Sequence, residues 1–394
     1  MARLRSTLPS SLALLLPLVA STACREGTVQ TASTIPIATS TFGNDGCNGA
    51  NQVFTAALEV VDDPAVIGPL SRLAASSSGD VLYVTGADGT VRAWDFSLDP
   101  TMPTETTVVP VGEIDTLLAS VLASAPTAVL SGVAVLDPTN LVLVEHASNT
   151  ILIASLVNPS PSVGFYIGFP DENSSFVDSI GGASRFNFPS ATPVDIVTTG
   201  DGRLFVADAG NHAVREAELG SNIFVRTVGG LGLPSSADGP LGSTGFDTPT
   251  GLSIACDGSL LITESGPAGN RLRSLSLGGF GLFGSREGGS ATLAGDGTPA
   301  TAEGVAELAS LAQPVSPVST ASGEVYFVDA ATGILRRFDL TTGTVDCPLF
   351  ADCAAAVLAG GSFSGAGNYA LAITSSDNLY VLDGTAGKLF LITP

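Results

Sequence analysis

Six segments of this 394-residue chain repeat one pattern: an apolar strand, a turn built on Gly, Asp or Asn, a second apolar strand, a second polar turn and a third strand. They run Ser71–Leu98, Ser131–Val157, Pro193–Leu219, Pro249–Leu277, Pro314–Leu340 and Tyr369–Thr393. Their central residues, Val84, Val144, Val206, Ile262, Phe327 and Val381, lie 60, 62, 56, 65 and 54 positions apart. A small sheet of this kind cannot bury its apolar faces alone, so neighbouring units must cover one another. Repeated short strands at this period signal a β-propeller.

A fourth apolar strand follows five of the repeats, at Thr107–Val111, Val163–Phe169, Ile223–Val228, Ala291–Ala294 and Ala355–Ala359. The sixth repeat runs to Pro394 without one, while an unused strand, Gln52–Val61, stands before the first repeat. An open sheet edge invites aggregation, so the ring is expected to close by pairing Gln52–Val61 with Lys388–Ile392. The expectation is an all-β, six-bladed β-propeller with four-stranded blades, filling residues 52–394 as one domain. Short helices are expected at Ala302–Leu311 and Ile114–Leu122.

Composition narrows the class. Hydrophobic residues at 44% against 13% charged exclude a disordered chain. The 46 Gly and 24 Pro supply frequent turns. A net charge of −22, with one lysine (Lys388), argues against nucleic acid and anionic membrane surfaces as partners. At the N-terminus, Arg3 and Arg5 precede the ten apolar residues Ser11–Ala20, too few to span a bilayer, then Ser21, Thr22, Ala23 and Cys24. This reads as a signal peptide over 1–23. Cys24 resembles the lipid-modified cysteine of a bacterial lipobox, although Ser21 stands where lipoboxes prefer Leu; ordinary cleavage after Ala23 is the competing reading. Loss of 1–23 leaves 13 basic against 37 acidic residues, or −24. Residues 24–51, rich in Ser, Thr, Gly and Asn, read as a tether. The mature chain is expected in the periplasm or at the cell surface, lipid-anchored through Cys24 or secreted, touching membrane only through that lipid.

Cys47, Cys256, Cys347 and Cys353 form an even set, which fits two disulfides in an oxidising compartment. Cys347 and Cys353 enclose a short loop; Cys47 and Cys256 pair by elimination. A metal site is the alternative, but the spacing is not C-x-x-C and no His lies near.

The third repeat, Gly200–Leu219 (GDGRLFVADAGNHAVREAEL), resembles an NHL repeat. Thr227–Gly230, Ala237–Gly239 and Phe246–Ile254 resemble the connector between NHL blades, and Ala291–Gly297 and Ala356–Gly361 repeat its blade-ending motif. The likeness is strong in repeats three to five and weak in one, two and six. It implies a six-bladed propeller used as a binding platform and sometimes as an enzyme.

Six second-strand ends, Gly86, His146, Asp208, Glu264, Asp329 and Asp383, are expected to share the connector face. Four acids and a His in a ring could hold a divalent cation in the channel. Acids at such positions also accept hydrogen bonds from their own turns, with Asn211 and Asn270 ordering those turns. His146 and His212 fall short of a three-His zinc site. Gly279–Gly284 matches G-x-G-x-x-G but lacks a βαβ setting, and no nucleophile motif is present. The connectors Asp171–Ala191, Gly230–Thr248 and Gly297–Gln313 are long enough to suggest function. The expectation is a monomeric binding or scaffold protein without cofactor. Its protein, peptide or glycan ligand would meet the connector face at His146, Asp208, Asn211, His212, Glu264, Asp329 and Asp383. The alternative is a lactonase-like hydrolase or lyase with a channel metal.

Overall fold

The computed structural model describes residues 56–393 apart from 77–79, 111, 123, 125–126, 158–161, 171–173, 200–201, 220–222, 281–285, 340–341 and 360. The expected signal peptide, Cys24, the tether and Cys47 lie outside the described residues. Six antiparallel sheets of four or five strands follow one another along the chain as six blades. The innermost strands, which begin at Leu73, Leu130, Ile196, Pro249, Pro314 and Tyr369, contact one another in sequence, and the last contacts the first.

The second strand of each blade is sandwiched between neighbours, which explains its unbroken apolar run. Leu141–Glu145, Leu204–Asp208, Leu260–Glu264, Val325–Asp329 and Leu379–Asp383 are buried at every position. The core is therefore divided among the blade interfaces. Leu82, Val84 and Trp94 of blade one meet Tyr380, Leu382 and Leu389 of blade six. Leu261 and Leu272 of blade four meet Val325 and Phe327 of blade five. Phe186, Phe188 and Phe246, from the long connectors, pack into the interior shared by blades two to four. Phe176 remains 40% exposed.

Closure follows the expected pairing. Ala56–Asp62 lies antiparallel to Lys388–Thr393, from Ala56 opposite Thr393 to Asp62 opposite Lys388, with a register shift between Glu59 and Val61. The N-terminal strand thus becomes the outer strand of blade six.

Three expectations need correction. In blade five the fourth strand is Thr344–Asp346, and Cys353–Ala359 is an α-helix. Its sequence, CAAAVLA, is dominated by the best helix former, and Asp352 starts the helix by accepting the Ala355 N–H at 2.7 Å. Ala302–Leu311 is not a helix: Gly304–Val305 pairs with the fourth strand of blade five, and Ala306–Leu308 forms one 3₁₀ turn. Blades three to five each carry a fifth strand, at Ser179–Ile180, Gly239–Pro240 and Gly304–Val305, supplied by the long connectors. These connectors run out to the blade edge and cover part of it before returning to the centre, so their length serves edge protection. The helix expected near Ile114 spans Glu113–Ala119, with Ile114 and Leu118 buried.

Candidate functional site

The second strands end in a ring of carboxylates whose register differs from the sequence reading in two blades. Asp208 pairs with Ala213, Asp329 with Ile334 and Asp383 with Lys388 at the close of their hairpins; the matching residues are Glu145 opposite Thr150 and Thr85 opposite Val91. Gly86 and His146 are therefore one position beyond the ring. Glu145, Asp208, Glu264, Asp329 and Asp383 have no exposed surface. Each accepts a backbone N–H from the connector that enters its own blade: Val129 to Glu145 at 3.1 Å, Asn187 to Asp208 at 2.8 Å, Asp247 to Glu264 at 3.0 Å, Ala312 to Asp329 at 3.0 Å and Ser364 to Asp383 at 3.2 Å. The ring stitches each hairpin to its incoming chain.

In blades three to five an arginine completes the stitch. Arg215 meets Asp208 at 2.7 Å, Arg273 meets Glu264 at 3.0 Å and Arg336 meets Asp329 at 2.6 Å, with all six side chains fully buried. The guanidinium forks also donate to connector carbonyls: Arg215 to Arg185 and Val177, Arg273 to Gly245 and Ala237, Arg336 to Ser310 and Ala302. Asp178 and Asp238 bind the same forks and tie in the fourth strands through the N–H groups of Thr227 and Thr292. These are the blades whose sequence resembles the NHL pattern. At the arginine position blades one, two and six carry Ala93, Leu152 and Phe390. There, Glu145 takes the N–H groups of Ala147 and Ser148, and Asp383 those of Thr385 and Ala386.

The residue before the third strand is left-handed in blades two, three and four: Asn149 at φ 52°, His212 at 50° and Asn270 at 51°. Each side chain crosses to the next blade and accepts a backbone N–H. Asn149 Oδ1 takes Phe188 at 2.8 Å, His212 Nδ1 takes Thr248 at 3.1 Å and Asn270 Oδ1 takes Gln313 at 3.0 Å. His212 is thus a third member of an asparagine series and, to accept, must leave Nδ1 unprotonated. Asp247 lies 3.5 Å from that nitrogen. Asn211 is buried and donates to Asp208 and to the Ser175 carbonyl, both at 2.9 Å.

His146 is not an exposed turn residue. It is 4% exposed, with Nε2 2.7 Å from the Ser131 hydroxyl and Nδ1 3.0 Å from the Pro189 carbonyl. Burial pushes its ring down to about 4, so it is neutral near pH 7. Nearby, Arg72 of blade one reaches past blade two to Asp195 of blade three at 2.7 Å and donates to the Tyr369 carbonyl of blade six at 2.9 Å. Asp195 accepts the Leu252 N–H of blade four. This buried pair ties four blades together across the inner ring.

Between the same connector segments lies a cavity of about 310 Å³. Its walls come from blade three (Ala191, Thr192, Pro193), blade four (Thr248, Thr250, Ser265–Pro267), blade five (Gln313, Val315, Ala330) and blade six (Gly367, Asn368). None of its lining residues is charged. None of the seven candidate site residues lines it, although His212 hydrogen-bonds one wall residue. Sequence reading therefore found the face and missed the walls. A threonine or glutamine by itself does not mark a cavity wall before the blades converge. The consistent hint was the X-Pro pair opening blades four and five (Thr248-Pro249, Gln313-Pro314).

Among the described residues, the His, Cys, Asp and Glu side chains within metal-ligand reach as a group of three are Glu303, Cys347 and Cys353. Those two cysteines are joined in the expected disulfide, with Cα atoms 5.2 Å apart, and Glu303 accepts the Cys353 N–H at 2.7 Å. Cys256 is also disulfide-bonded; the Cys47 end of its expected pairing lies outside the described residues. No described helix is long and apolar enough to cross a membrane.

No family model matches the chain, and no curated protein matches it. Solved structures share the fold at low identity. A Bacteroides thetaiotaomicron protein of unknown function is 14% identical, with 86% of this chain and 75% of that chain covered at a TM-score of 0.52. Virginiamycin B lyase from Staphylococcus aureus is 10% identical, over 86% and 98%, at 0.48. An auxiliary nutrient binding protein from Bacteroides thetaiotaomicron is 11% identical, over 84% and 69%, at 0.49. The first of these supports the propeller architecture; none carries a function across.

Proposed function

We propose that this six-bladed propeller is a binding protein working outside the cytoplasm, and that its peptide or glycan ligand seats at the connector-face mouth of the central channel. One observation carries the reading: a cavity with uncharged walls formed by four blades opens on the connector face, while the ring carboxylates and His146 are buried and already hydrogen-bonded to the protein. A site built for acid–base or metal chemistry needs ionisable groups facing the substrate, and here those groups face the protein. The Cys347–Cys353 disulfide and the signal-like N-terminus support export, and the NHL resemblance of repeats three to five supports a platform role.

The test is a paired array of short peptides and of neutral and acidic glycans, with hydrogen exchange on each hit. Protection of 190–194, 247–250, 265–268 and 313–315 is the expected result. Protection confined to the opposite face, around 276–278 and 288–290, refutes the site. The competing enzyme reading gains if purified protein carries a stoichiometric divalent metal by elemental analysis.

A further inference from the structure

We infer that the mouth cavity recognises an uncharged, hydroxyl-rich ligand, the end of a neutral oligosaccharide. Thr248 and Gln313 are its specificity-determining residues, and His212 and Asn270 position them. This rests on the binding reading above and names its ligand class and its working residues.

The walls carry the hydroxyl of Thr192 and the amides of Gln313 and Asn368, together with the Thr248 and Ser265 hydroxyls, whose protons go to Asp247 Oδ1 at 3.3 Å and the Thr248 carbonyl at 3.4 Å and whose oxygens remain acceptors, all set among the apolar surfaces of Ala191, Pro193, Pro267, Val315 and Ala330. Hydroxyls and amides both donate and accept, which matches ligand hydroxyls that do the same. The Thr192 hydroxyl and the Gln313 and Asn368 amides make no hydrogen bond to another described residue, so their capacity is available to a ligand. A charged ligand would lose water here without meeting an opposite charge. The volume, about 310 Å³, suits the small-ligand range at its lower end, which is the size of a chain terminus and not of a long polymer.

Backbone strain marks the same two residues. Thr248 and Gln313 occupy equivalent places in blades four and five, and each has a positive φ, 53° and 56°. A β-branched threonine there is an outlier, and both residues precede proline, which favours extended backbone. Residues kept in such conformations need surrounding structure to over-determine them, and they cluster at binding sites. The over-determining contacts are the hydrogen bonds from their N–H groups to His212 Nδ1 and Asn270 Oδ1. Each latch is therefore spent on a cavity-wall residue, and each wall residue projects from a conformation its own preference opposes.

The experiment uses the mature chain and titration calorimetry. The probes are uncharged gluco-, manno-, galacto- and N-acetylglucosamine-based di- to tetrasaccharides, their sulfated or sialylated counterparts, and uncharged tripeptides. Binding by at least one neutral oligosaccharide and not by its anionic counterpart is expected. Thr248→Val and Gln313→Ala should each weaken it tenfold or more with an unchanged circular dichroism spectrum. His212→Gly, which keeps the backbone conformation and removes the acceptor, should weaken it severalfold, and His212→Asn should restore it. Rescue by Asn separates positioning from a contact made by the imidazole itself. Absence of any neutral saccharide binding, or an affinity indifferent to Thr248 and Gln313, overturns the inference. A tripeptide bound at the mouth overturns it too but leaves the binding reading standing; a ligand footprinting on the opposite face removes both.

Discussion

His146 and the carboxylates of Asp208 and Glu264 titrate in the same pH range with opposite consequences. Burial holds the His146 ring at about 4 against 6.5 in the unfolded chain, so between these values the unfolded state binds more protons. Stability from this group is present above 6.5 and is lost as pH falls toward 4, up to about 3 kcal/mol. Burial pushes Asp208 up to about 6 and Glu264 up to about 7, outweighing the neighbouring Arg215 and Arg273. Here the folded state binds more protons, so stability declines as pH climbs from about 4 through those values. Urea unfolding at pH 4.5 and 6.5 separates the two. The advantage of wild type over His146→Gln should grow with pH by about 2 kcal/mol, and its advantage over Glu264→Gln should shrink. Parallel lines for His146→Gln would mean the imidazole is not held neutral. At the His212 latch, Asn should match the native Tm, whereas Gly should cost about 1 kcal/mol, the net worth of one hydrogen bond.

Within one blade, the arginine fork joins the hairpin, the incoming connector and, through Asp178 or Asp238, the fourth strand. Removing one partner of a buried pair leaves the other charge unpaired, so Arg215→Met should destabilise by about 3–5 kcal/mol. Adding Asp208→Asn should recover part of that loss, because the orphaned charge is gone. Blade two shows the apolar solution already in use, with Leu152 at the arginine position and Glu145 held by turn N–H groups. A double variant no more stable than Arg215→Met would show that the fork's carbonyl contacts, and not the charge pair, dominate. The Cys347–Cys353 bridge closes a loop of six residues in sequence separation, so reducing it should cost only about 2 kcal/mol. Thermal melts of a Cys347→Ser/Cys353→Ser variant measure this.

For the molecule as a whole, ring closure depends on a strand brought from the far end of the chain. Six register positions join Ala56–Asp62 to the last strand, and Lys388 adds an exposed pairing with Glu59 at 2.7 Å. The surface ion pair is worth little; the backbone ladder and the cover it gives blade six matter more. A chain starting at Asp63 should lose cooperativity and aggregate through the bared edge of Lys388–Thr393. Melting like the chain that keeps Ala56–Asp62 would show that five and three-quarter blades suffice. Lys388→Gln should leave Tm nearly unchanged.

Local pattern reaches as far as one hairpin; its repetition along the chain and the need to leave no sheet edge open carry the sequence reading further. Repeat period, strand content, blade number, the pairing of the two chain ends and the Cys347–Cys353 bridge all follow from apolar runs, turn residues and spacing, because each is set by neighbours in sequence or by the need to leave no edge open. In the alanine-rich helix Cys353–Ala359, the run that continues into AVLAGG copies a blade-ending strand motif, and only its competition with Thr344–Asp346 for the same edge decides which is the strand. Ring register in blades one and two slipped by one residue because turn length, not composition, sets where the hairpin closes. Arg72 meeting Asp195 across blades, His212 serving as an asparagine substitute, and a cavity walled by Thr248 and Gln313 belong to tertiary structure alone. Each joins residues that are remote in sequence or lie in different blades, and no local preference encodes a meeting that occurs only once the ring has closed.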